Sequence, residues 1–430
     1  MKRLGAWLCC ALLVVITCGC AQPKKAVNEI ELWHWMTDRQ DALEALARKY
    51  EQETGIRVKL SLFAPSDSYI QKIIAAAQAN VLPDIYGILD KKTIFASFIK
   101  AGLVADLTSA FEADGNAWGK RFFVKAVDNN RFAVGNMDGV KPGIYGVPLD
   151  VSTVQMIYNR NLLKKAGIAT VPATFEEFLA AVKALKRVGI VPFVTGFGET
   201  WIVDCFASNY AFNIMGEAKV MATFRGEVPY TDPDWMAVFT VFQTLAKKGA
   251  FIEGIVTKGN KYAEQDFALE RAAFSFDGSW GVNIYKSMNP VLDYGVAPLP
   301  ALKAANPMRV WGGAGSSLVV NALSPNKDKA VAFLQWITDT PQQAYLSEQT
   351  NNLPSNREAS VGISPILGDF AKAMEQSTHP RVWILNEDPI VVEAFDKGIQ
   401  SIIIGEKTPA QVAVEVQKIK LRQMGKVKRP

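Results

Sequence analysis

Glu29-Ile-Glu-Leu-Trp-His-Trp35, Ile56-Arg-Val-Lys-Leu-Ser-Leu62 and Asp84-Ile-Tyr-Gly-Ile88 decide the fold, because helical patterns fill both gaps between these three runs. Each run is short and apolar or alternates, as a strand requires. From Asp38, a candidate N-cap, Leu43, Leu46, Ala47 and Tyr50 recur at helical spacing until Gly55. After Ser66, the residues Tyr69, Ile70, Ile73 and Ala77 share one helical face, and Pro83 closes the segment. The order strand, helix, strand, helix, strand predicts an α/β fold with a parallel sheet. Ligand sites in such folds lie beyond the carboxyl ends of the strands. Those ends carry Trp35, Thr37, Asp38, residues 64–66 and Asp90.

The same style continues along the chain. Thr174-Phe-Glu-Glu177 is a capping box ahead of Phe178, Val182 and Leu185, and Thr408-Pro-Ala-Gln411 is a second capping signature with Pro at the first helical position. Residues 234–248, 328–339 and 388–404 also read as helices. Periodic repetition of a structural unit is absent from the sequence.

The 430 residues hold 47 Lys plus Arg against 42 Asp plus Glu, a net charge of +5, with 49% hydrophobic and 21% charged residues. That composition excludes a disordered, collagenous or coiled-coil chain. At roughly 100 to 200 residues per domain the length predicts two or three domains. The basic residues are spread out and form no dense stripe, which counts against nucleic acid as a partner.

Four of the five cysteines, Cys9, Cys10, Cys18 and Cys20, fall within the first twenty residues, and the fifth is Cys205. Lys2 and Arg3, then an apolar run from Leu4 to Thr17, then Gly19-Cys20 read as a processing segment. The run is shorter than the roughly 20 residues a spanning helix needs. A cysteine after small residues resembles the bacterial lipoprotein signal. Residues 1–19 are then the signal peptide, Cys20 is the lipidated mature N-terminus, and residues 20–28 are a tether at the membrane surface. Thr17 stands where that signal usually has an aliphatic residue, so plain secretion is the alternative reading. Cys205 is expected to be a buried, unpaired thiol.

Several strings in order then resemble the extracellular solute-binding proteins of bacterial ABC importers, in particular the sugar-binding group. They are Glu31-Leu-Trp-His-Trp35, Tyr50-Glu-Gln-Glu-Thr-Gly-Ile-Arg-Val58, Pro83-Asp84, Tyr145-Gly-Val-Pro148 and Ile157-Tyr-Asn-Arg-Asn-Leu-Leu-Lys-Lys-Ala-Gly167. Further on come Thr174-Phe-Glu-Glu-Phe178, Phe276-Asp-Gly-Ser-Trp280, Tyr294-Gly-Val-Ala-Pro-Leu-Pro300, Trp311-Gly-Gly313 and Gly405-Glu-Lys-Thr-Pro409. Each is weak alone, whereas their order over residues 29–418 is specific. The resemblance implies a periplasmic-binding-protein-like fold of two α/β lobes joined by crossing hinge segments, with the ligand in the cleft between them. It places residues 29–148 and 293–348 in the first lobe and 154–290 and 351–420 in the second. It also implies a monomer in the cell envelope, lipid-anchored or periplasmic, that serves ABC permease subunits and has no cofactor and no catalytic residue.

A sugar offers C–H faces to aromatic rings and hydroxyls to carboxylates and amides. Trp280 matches the family's cleft tryptophan and ends an apolar strand, and Asp277 precedes it. Trp311 is followed by Gly312 and Gly313, where a backbone can approach a ligand closely. Trp35, Asp38 and Asp90 end strands, Asp150 sits at the first crossing, Trp201 follows a glycine-rich loop, and Trp383 lies in the loop before a late helix. These eleven residues are the candidate ligand contacts, with helix capping as the plain reading of Asp38, a hinge hydrogen bond for Asp150 and a turn tie for Asp277. Trp118, Trp235 and Trp336 lie in helical patterns and read as core. Neither His34 nor His379 has a second ligand at metal spacing, so no metal site is expected. The competing functions are an extracellular carbohydrate-active enzyme and a binder of a non-sugar solute such as a phosphorylated compound. Lys91-Lys92 is the one basic pair suited to the latter.

Overall fold

The computed structural model describes residues 28–64, 66–88, 92–136, 138–378 and 387–427. Cys20, Asp90, His379 and Trp383 lie outside them. The first sheet is built from strands β1 (Glu29–His34), β2 (Arg57–Leu62) and β3 (Ile85–Ile88), with β1 parallel to both neighbours. Leu32 stands opposite Leu60 on one side and Ile85 on the other. Alternation along β1 sends Ile30 and Leu32 to one face and Trp33 to the other. The first face meets Leu43, Leu46 and Tyr50 of the helix Gln40–Thr54, the second meets Tyr69 and Ile73 of the helix Ser66–Gln78. Gly55 ends the first of these helices at φ +70°, a conformation glycine adopts without a Cβ clash.

A small hairpin, β4 (Arg131–Phe132) and β5 (Gly143–Ile144), precedes β6 (Val147–Pro148) and the ten-residue β7 (Asp150–Asn159). The second sheet is built around β7, with β8 (Val191–Thr195), β9 (Ala272–Gly278), β10 (Tyr294–Ala297) and β11 (Trp311–Ala314). The chain then returns to the first sheet as β12 (Ser317–Val320), antiparallel between β3 and β6, and reaches the second again as β13 (Leu353–Pro354) on β7. Two α/β lobes thus share three crossings, at residues 148–150, 314–317 and 350–355.

The segment 293–314 corrects the expected boundary. It was expected in the first lobe, yet β10 and β11 both pair antiparallel with β7, Tyr294 opposite Asn159 and Trp311 opposite Val154. An alternating strand carries no mark of which sheet will accept it, and β7 is long enough to offer edges to several partners.

The second lobe has an aromatic core. Phe178, Phe193, Phe206, Phe242, Phe274, Phe276, Trp235 and Phe395 are buried together on one face of its sheet. Phe178 is aimed there by the expected capping box, in which Thr174 and Glu177 satisfy each other's backbone N–H groups. The Thr408–Gln411 signature forms likewise, ahead of the helix Pro409–Val427. Trp118 and Trp235 are core residues as read, with Nε1 donating to Thr338 Oγ1 and Thr223 Oγ1 respectively. Trp336 is half-buried, stacks on Phe333 and donates to Glu53. Cys205 is buried in the same core as Trp235.

Candidate functional site

Asp38 does not cap the helix it precedes. It lies in a 3-10 turn, Thr37–Arg39, and the helix begins at Gln40 without a side-chain cap. Its carboxylate instead accepts from Asn352 Nδ2 at 3.0 Å and from Arg39 Nε at 3.3 Å, so it ties the end of β1 to the third crossing. Arg39 and Asn352 together hold the Asp38 carboxyl below its ordinary range, against the opposing effect of burial. Beside it, Trp35 is half-buried and packs against Gly87, where an added Cβ would come within 2.3 Å of ring atom Cζ3. Tyr69 flanks the same indole at 5.2 Å between ring centroids and donates its hydroxyl to the Gly87 carbonyl at 2.9 Å.

Asp150 is a hinge residue. Its side chain is buried, Oδ2 pairs with Arg39 Nη1 at 2.5 Å, and Oδ1 accepts from the Ser316 N–H at 2.5 Å. Arg39 Nη1 also reaches Ser316 Oγ at 3.2 Å. One ion pair therefore joins the end of β1, the first crossing and the second. Gln343 links the first and third, donating to the Leu149 carbonyl and accepting from the Ser355 N–H.

On the second lobe the turn from β9 into the helix Gly281–Met288 presents Trp280, half-buried. Its Nε1 donates to Glu264 Oε1 at 3.1 Å, and its ring lies 5.7 Å from that of Trp201. Trp201 Nε1 is held in the same manner, donating to Glu199 Oε2 at 2.8 Å. Asn260 binds the two carboxyls behind Trp280 with one amide, at 2.8 Å to Glu264 Oε1 and 3.1 Å to Asp277 Oδ1. Tyr285 donates to Asp277 Oδ2 at 2.5 Å, so both oxygens of this buried carboxyl are engaged. Burial first, and then repulsion from Asp277, pushes the Glu264 carboxyl up to about 8, against the opposing pull of Lys261. The exposed Lys261 ammonium stands 3.0 Å from Glu264 Oε2. Desolvation opposes its charge, and Glu264, Asp277 and Asp38 outweigh that effect, so its own pKa is raised.

The sequence candidates thus divide. Trp35 and Asp38 lie together at the end of β1 in the first lobe, and Trp201 and Trp280 meet in the second. Asp150 and Asp277 are buried behind them, as a hinge counter-ion and as a support for the Trp280 turn. Trp311, Gly312 and Gly313 are buried in β11: Trp311 belongs to the second-lobe core, and a Cβ on Gly312 would meet the Ser152 carbonyl at 2.7 Å, so that glycine serves strand packing. Arg39, Glu199, Asn260, Lys261 and Glu264 were not singled out from sequence. The one signal for Glu264 is its place on the otherwise apolar face of Ala263 and Phe267 in the helix Asn260–Ala268.

The family model of the bacterial extracellular solute-binding proteins matches residues 34–344. The chain belongs to that family. Among curated relatives of this solute-binding protein, a galactooligosaccharide-binding protein of Bacillus subtilis is 20% identical over 99% of both chains. A maltooligosaccharide ABC transporter solute-binding lipoprotein of Streptococcus pneumoniae is 24% identical over 74% of this chain and 70% of its own. Among solved structures, a chitin oligosaccharide binding protein superposes with a TM-score of 0.77 at 22% identity, covering 92% of this chain and 98% of that one. A maltose-bound T. maritima MalE3 gives 0.75 at 19% identity, with 92% and 99% covered. These likenesses show a shared two-lobe fold. Among the described residues of the solute-binding protein, no helix is long and apolar enough to cross a membrane.

Proposed function

We propose that this protein captures a sugar or oligosaccharide between its lobes outside the membrane and delivers it to the permease subunits of an ABC importer. The observation that carries the reading is the Trp201–Trp280 pair. Both indole N–H groups are spent on carboxyls, which leaves the ring faces, still partly exposed, for the C–H faces of a sugar. Asp38 and Lys261 supply hydroxyl-binding groups from opposite lobes, and a ligand that touches both favours the closed arrangement. Trp35 adds a ring on the first lobe, and Asp90 and Trp383 remain candidates. Curated relatives named for oligosaccharide binding support the substrate class. The role is binding, since the carboxyls behind Trp280 are buried and shared by one asparagine. The protein acts as a monomer in the cell envelope, held at the membrane by a lipid on Cys20.

A thermal-shift screen over neutral sugars, sugar phosphates, amino acids and metal ions tests the substrate class, because a ligand of the folded state raises the melting temperature. Stabilisation by sugars is expected. Stabilisation by charged metabolites alone would overturn it. Metabolic labelling with a clickable fatty acid tests the anchor, with incorporation expected in the natural chain and none in Cys20→Ser.

A further inference from the structure

Tyr262 is the one aromatic side chain that is exposed among the described residues, at 68%. Ten other described aromatics are half-buried, and the remaining exposed large apolar groups are aliphatic or methionine. Its position is fixed by the same carboxylate that holds Trp201. Glu199 Oε2 accepts from Trp201 Nε1 while Oε1 accepts from the Asn260 N–H at 2.6 Å, at the start of the helix that carries Tyr262. A Cβ placed on Gly259 would lie 3.2 Å from Glu199 Oε1 and 3.8 Å from the Tyr262 ring, so carboxylate and ring border the same point. Gly198 N–H bonds the Lys258 carbonyl at 2.9 Å and joins the two loops beneath them. Lys261, adjacent in sequence, reaches Glu264 and so the foot of Trp280.

We infer that Tyr262 is an outer stacking platform for a ligand that begins on Trp280 and Trp201 and continues past Glu199. The inference rests on the proposed sugar-binding role and deepens it: the ligand is an oligosaccharide long enough to leave the tryptophan pair, and Tyr262 sets the length preference. The carboxylate fixes the helix start that carries the ring, so the backbone beneath it needs no reordering when a sugar stacks there. Glu199 Oε1 and the tyrosine hydroxyl lie at its rim to accept from the outer sugar's hydroxyls.

Isothermal titration of the full chain, Tyr262→Ala and Tyr262→Phe with maltooligosaccharide and galactooligosaccharide ladders of one to four rings tests this. The natural chain is expected to gain about tenfold in affinity at one step between two and four rings. Tyr262→Ala should lose that step, so the four-ring to two-ring affinity ratio falls about tenfold, and Tyr262→Phe, which keeps the ring, should retain most of it. An unchanged ratio in Tyr262→Ala, an equal loss at every length, or a natural ladder without a step would overturn the platform. Failure of both ladders to bind the natural chain would overturn the sugar-binding role itself.

Discussion

Trp280 Nε1 and Asn260 Nδ2 converge on a single oxygen of Glu264, at 3.1 and 2.8 Å. The indole is therefore held by its edge while its face stays partly open. Trp280→Ala removes the stacking surface from the margin of the second-lobe core, so ligand affinity is expected to fall at least about tenfold, or roughly 1.4 kcal/mol. The melting temperature without ligand should fall by the cost of a half-buried ring, with folding kept. Titration calorimetry beside a thermal melt checks both, and unchanged affinity would assign Trp280 to packing.

Glu264 gives a prediction in pH. Its folded pKa, about 8, lies above the ordinary glutamate value, so the native state binds the extra proton between the two. Its stabilising contribution is whole below about 4.5 and is lost as pH rises through 8. Glu264→Gln keeps an acceptor for Trp280 and cannot ionise. The variant should melt higher than the natural chain at pH 9 and match it near pH 5, measured by calorimetry across that range. Parallel curves for the two proteins would show that Glu264 does not titrate there.

The Arg39–Asp150 pair joins three segments of chain. Asp150→Asn leaves a buried guanidinium with Asp38 as its remaining counter-ion, and breaking a buried pair in this manner costs about 3 kcal/mol. Urea denaturation should show that loss, and the double variant Arg39→Met with Asp150→Leu should recover a large part of it because no charge is left buried. A fall below about 1 kcal/mol in the single variant would mean that the pair does not brace the hinge.

These residues also show how far the sequence can be read. Strand alternation and helical spacing place Ile30, Leu32, Leu43 and Tyr50 correctly because each signal is complete within one element. The place of Trp280 in the turn after a strand is legible because that turn follows the largely apolar run Ala272 to Phe276. Arg39 and Glu264 are not, since their meaning depends on partners outside their own helices: Asp150 reaches Arg39 only through the first crossing, and Asp277 reaches Glu264 from β9, the strand after its helix. Trp311 misleads for the same reason: a tryptophan before two glycines looks like an exposed loop until Val154 is found opposite it. The sheet membership of β10 likewise rests on an edge of β7 that local pattern does not reveal.

Buried titratable groups outside the cleft set limits at both ends of the pH scale. His34 is buried at the end of β1 beside Asp38, Arg39 and Gln40, and desolvation lowers its pKa to about 4. The unfolded chain takes up a proton near 6.5 that the native state refuses, so stability falls as pH drops from 6.5 towards 4. Asp204, on the helix Thr200–Phe224, and Asp396, on the helix Pro389–Ile403, are buried in the second lobe, and burial raises both, Asp204 to about 7. Asp204 adds to the rise at Asp396, Glu393 acts in the same sense, Lys397 opposes them, and Ser208 donates to Asp204 at 3.2 Å. Here the native state holds protons that the unfolded chain releases near 3.8, so stability falls as pH rises above about 4, for Asp204 through 7. Each group contributes a slope of about 1.4 kcal/mol per pH unit inside its window. Asp396→Asn should therefore raise the melting temperature at pH 8 and lose that advantage near pH 4, whereas His34→Gln should flatten the acid side alone. Melting curves from pH 4 to 9 separate the two, and an Asp396→Asn variant less stable than the natural chain at pH 8 would show that the ionised carboxylate has a compensating partner.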